Sequence, residues 1–141
     1  MEFSPNGPRF KTPEDELAYL RNLVAEKEYQ LHETGMPVER EVILSSELKE
    51  FAKHKPEEVL PEHRQMTAEE KGAIVLDLTP RETDTQIGEL LLVLDEKGLL
   101  NTLKIVEAAN NPELADDFHR FLVQYLNKGY SVGLKERDPL F

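Results

Sequence analysis

The chain has 141 residues, a formal net charge of −11 and no cysteine, which suits one domain with a sizeable core and excludes disulfides and thiolate sites. Both halves are acidic, and no stretch clusters Lys and Arg with aromatics, which argues against direct binding to nucleic acid or an anionic membrane surface. The start lacks a signal-peptide pattern, and the longest apolar run, residues 90–94, falls far short of the roughly 20 residues of a membrane span, so a cytoplasmic chain without membrane insertion is expected.

Residues 1–11 hold two prolines and a glycine and read as an extended arm. Thr12-Pro13-Glu14-Asp15 then supplies an N-cap, a proline at the first helical position and acids where the helix dipole favours them. Leu17, Leu20, Val24 and Leu31 fall on one stripe with Leu23 beside it, which predicts an amphipathic helix of about six turns closed by Gly35. Pro37 opens the next, with Val38, Val42, Leu44, Leu48 and Phe51 as its apolar positions and Ile43 widening the face. Residues 12–55 therefore form a helical hairpin. Each stripe is narrow, so the pair either packs on the rest of the domain or waits as an arm for a partner chain.

Residues 56–66 carry prolines at 56 and 61 and read as a connector with a short helical turn. Thr67-Ala68-Glu69-Glu70 is a capping-box pattern. The stretch 73–78 that follows is compatible with helix or with a short strand. Thr79-Pro80-Arg81-Glu82 repeats the capping box with proline at the first helical position. The helix after it has Ile87, Leu90, Leu91 and Leu94 with Leu92 and Val93 on its remaining sides, a nearly all-round apolar surface that predicts a place in the middle of a bundle. Gly98 ends it. Leu99, Leu100, Leu103 and Val106 mark the next helix, and Asn111-Pro112 starts a last one with Leu114, Phe118, Phe121, Leu122, Tyr125 and Leu126, closed by Gly129. The expected fold is all-α: an N-terminal hairpin plus a three- or four-helix bundle over 67–129, with 130–141 as a tail.

Chemistry-bearing residues are sparse. The four histidines are at 32, 54, 63 and 119. Asp116 and His119 are three apart and share a helix face, the spacing of carboxylate-bridged metal bundles. Such sites need the pattern twice plus inward Glu residues, and no second copy exists, so no metal, cofactor or catalytic residue is assigned from the sequence. Adjacent acids such as Glu57-Glu58, Glu69-Glu70 and Asp95-Glu96 suit helix starts and solvated faces. Ser45, Ser46 and Ser131 lack the strand-to-helix glycine context of a nucleophile elbow, and the segment from Gly129 to Gly133 lacks the ending of a phosphate loop. Phe118, Phe121 and Tyr125 are read as core.

Three stretches, PRFKTPEDELAYLRNLVAEKE, DTQIGELLLVLDEKGLLNTLKIVEAANNPELADDFHRFLVQYL and GLKERDPLF, cover roughly half of the chain. Together they resemble the uncharacterised N-terminal region of large bacterial proteins, mostly from candidate phyla, whose later part looks like a conjugation or type IV secretion ATPase. The resemblance implies a region ahead of the ATP-binding module and hence no nucleotide site here. It also fits the abrupt Leu140-Phe141 ending, which reads as the edge of a fragment.

The functional expectation is a non-catalytic helical protein-interaction domain, placed as the N-terminal docking module of a larger bacterial transport ATPase. One alternative is a small metal-dependent helical enzyme using Asp116 and His119. Another is a self-assembling structural protein that oligomerises through its hairpin.

Overall fold

The computed structural model of the chain describes residues 10–36 and 38–128. It is all-α, with no strand among the described residues. The elements are α1 (Pro13–Glu33), α2 (Arg40–Phe51), α3 (Pro56–Val59), a 3-10 turn (Glu62–Arg64), α4 (Ala68–Leu78), α5 (Thr83–Lys97), α6 (Leu99–Ala109) and α7 (Pro112–Asn127). Pro37, Gly129, the tail over 130–141 and all of the expected arm but Phe10 and Lys11 lie outside the described residues.

Helix α1 begins as its sequence predicts. Thr12 Oγ1 accepts from the Asp15 amide at 3.2 Å, and Asp15 Oδ2 accepts from the Thr12 amide at 3.1 Å. This capping box gives side-chain acceptors to two amides at the helix start, the Asp15 amide also lying 3.1 Å from the Thr12 carbonyl. Beyond its C-terminus Gly35 takes φ +74°, the left-handed turn that glycine permits. α2 then returns antiparallel, with Lys27 4.0 Å from Glu47 and the Tyr19 ring 6.1 Å from that of Phe51.

The hairpin packs on the rest of the domain, α1 against α5 and α6 and α2 against α7. Leu17, Leu20 and Val24 of α1 and Ile43, Leu44, Leu48 and Phe51 of α2 enter one core with Leu90, Leu94, Leu100, Ile105, Phe118 and Leu122. Val38 and Val42, expected on the inner face, are instead exposed (38% and 58%). Val42 stands two residues before Leu44, roughly 200° round the helix from the core direction. The connecting segment joins the core too: Val59 and Leu60 are buried, and the Val59 carbonyl accepts from the amide of buried Phe10 at 2.9 Å.

The Thr67 capping box forms, with the Glu70 amide donating to Thr67 Oγ1 at 3.0 Å and the Thr67 amide to Glu70 Oε1 at 2.9 Å. Residues 73–78 are helical and complete α4. The second expected capping box does not form. Thr79 ends α4, its hydroxyl donating to the Val75 carbonyl at 2.8 Å, and Arg81 folds back onto Asp77. α5 starts later, with Glu82 at its N-cap and no side-chain cap. Thr79-Pro80 therefore follows the other rule for proline, which favours the position just past a helix end.

The central helix is α6, not α5. It meets α1, α4, α5 and α7, and it buries Leu99, Leu100, Asn101, Thr102, Ile105 and Val106. α5 fully buries Leu90 and Leu94 but leaves Leu92 55% exposed. α7 opens on Asn111, whose Oδ1 accepts from the amides of Glu113 at 3.1 Å and Leu114 at 3.2 Å. It buries Leu114, Phe118, Leu122, Val123 and Leu126 against α2 and α6.

Candidate functional site

Among the described residues, two clusters of polar side chains cross between elements. The first surrounds the N-terminus of α6. Glu16, one position before the Leu17 stripe of α1, is fully buried. Its Oε1 accepts from the Leu99 amide at 2.9 Å and from Arg64 Nη2 at 3.0 Å, and its Oε2 accepts from the Leu100 amide at 3.0 Å. The unpaired amides and positive dipole end of α6 make an anion site, filled here by the chain's own carboxylate. Burial raises the Glu16 pKa above the ordinary carboxylate value, and the Leu100 amide, the Arg64 guanidinium and the Leu99 amide oppose that rise.

Arg64 ties the same point to three segments. Besides Glu16 it donates from Nη1 to the Phe10 carbonyl at 2.7 Å and from Nη2 to the Lys97 carbonyl at 2.8 Å. Asn101 Nδ2 reaches the carbonyls of Arg64 and Lys97, both at 2.9 Å. Gly98 has φ +94°, and a Cβ there would lie 2.0 Å from Arg64 Nη2 and 2.1 Å from Glu16 Oε1. Glycine is thus required twice over, by the backbone and by the ion pair. Among the described residues no buried side-chain N or O lacks a hydrogen-bond partner. The cluster is closed to solvent and fastens α1, the 3-10 turn, α5 and α6 together.

The second cluster lies on the seam between α2 and α7. Ser45 Oγ and His119 Nε2 are 2.7 Å apart, and Glu41 Oε2 accepts from Gln124 Nε2 at 3.1 Å and Asn127 Nδ2 at 3.3 Å. His119 is half-buried, and its pKa is lowered by that burial and by Lys49, with Asp116 opposing. A hydroxyl against a neutral imidazole is the first half of a nucleophilic pair. The second half, donors aimed at a developing oxyanion, is not supplied by Ser45's surroundings in the middle of α2, where the amides are held by helical carbonyls.

Asp116 and His119, the expected candidates for a metal, are engaged elsewhere. His119 Nε2 is bonded to Ser45, and Asp116 Oδ2 lies 3.6 Å from Arg120 Nη2. Among the described residues no three His, Asp or Glu side chains converge as ligands. A cleft between α1, α2 and the end of α7, lined by residues including Leu17, Arg21, Arg40, Leu44 and Leu126, encloses ≈ 10 Å³, room for about one water.

The aromatic group divides. Phe118 is core, whereas Phe121 is 38% exposed and its ring lies stacked on Tyr125 with centroids 5.9 Å apart. Among the described residues the most exposed large apolar side chain is Leu76 of α4, at 75%, beside exposed Gly72 and Ala73. Neither this face nor the Glu16–Arg64 pair was singled out by sequence reasoning. One signal was present for the pair: an acid adjoining an apolar stripe. No family model, curated protein or solved structure matches the chain. No described helix is long and apolar enough to cross a membrane.

Proposed function

We propose that this chain is a non-catalytic helical domain that docks a protein partner in the bacterial cytoplasm. The observation that carries this reading is the outer face of α4, where Leu76 stands in solvent on a helix with apolar residues on every side. A helix with that composition is suited to having neighbours on more than one side, and α4 packs on α6. The polar clusters support the same reading, because Glu16 and Arg64 tie helices together and His119 ties α7 to α2.

The resemblance to regions preceding conjugation or type IV secretion ATPases extends the proposal. In that setting the domain is an N-terminal docking module of a larger transport ATPase. Affinity purification of the full chain from its native cells, with quantitative mass spectrometry, tests the docking role. A partner recovered in stoichiometric amount is expected. Recovery of none would remove the reading.

A further inference from the structure

We draw no further inference here: the strongest candidate, the outward stripe of α5 where exposed Gly88 and Leu92 stand one turn apart with Glu89, Asp95 and Glu96 bordering the leucine, carries nothing, because nothing in the structure shows what covers it.

Discussion

Two flanks of α6 are finished in opposite ways. On the α1 side, Glu16 fills the helix N-terminus, Arg64 closes over it, and Gly98 leaves no room for another atom. On the α4 side, an apolar helix lies on α6 with Leu76 and Gly72 facing outward and open space around the glycine. The first flank has only internal partners, so it can hold the fold but offers nothing to a visitor. The second buries Leu78 on its inner side and leaves Leu76 and Gly72 outside the core. Under the proposed docking role, stability and recognition fall to different residues, and substitutions should separate them.

The largest effects are expected at the closed flank. Glu16→Ala leaves Arg64 buried without its counter-charge and two α6 amides without an acceptor, and should cost about 3–5 kcal/mol in chemical denaturation. That is a large share of the roughly 5–15 kcal/mol typical of a domain. Gly98→Ala should be comparably damaging, because it adds the strain of a positive φ to the displacement of the pair. If either variant melts with the wild type, the ion pair does not hold the fold.

The α2–α7 seam should come next. Ser45→Ala removes one 2.7 Å hydrogen bond and should cost about 1 kcal/mol. His119 adds a pH dependence whose sign is fixed by its lowered pKa. The folded chain takes up this proton less readily than the unfolded chain, so its contribution is complete above the ordinary value of 6.5 and is lost as pH falls below it. Urea melts of wild type and His119→Gln should run parallel at alkaline pH and converge or cross on acidification. A constant offset would refute the assignment.

The open flank should respond least, and in the other direction. Gly72→Ala should raise stability by about 0.5–1 kcal/mol, since an exposed helix gains from alanine and nothing obstructs the methyl group. Leu76→Gln should leave stability within about 0.5 kcal/mol. A thermal shift as large as that of Ser45→Ala would mean that Leu76 supports the core and that the comparison fails.

Helix ends were readable from the chain because their signals are local. Thr12-Pro13, Thr67 with Glu70, Gly98 and Asn111-Pro112 each act through hydrogen bonds or torsions within a few residues. Thr79-Pro80 misled because proline suits both the start of a helix and the position after one; the Arg81–Asp77 contact resolves it in favour of an end. The rank of α5 and α6 was hidden for another reason. Apolar residues on every side show that a helix tolerates burial, not which neighbours cover it, and Leu92 is left outside. Ser45 and His119 are 74 positions apart, and Glu16 meets Leu100 across 84. Pairings at such separations leave no periodic trace.

The corner at Gly98 has a consequence for how this protein can diverge. One residue terminates α5 and initiates α6, so the two helices share a joint with no spare link. Adding or deleting an amino acid there would rotate one helix by about 100° against the other and pull the Glu16 carboxylate off its amides. The exposed bend at Thr34-Gly35-Met36 carries no such constraint. Length variation, and grafts of new sequence, should accumulate at that bend and spare the corner.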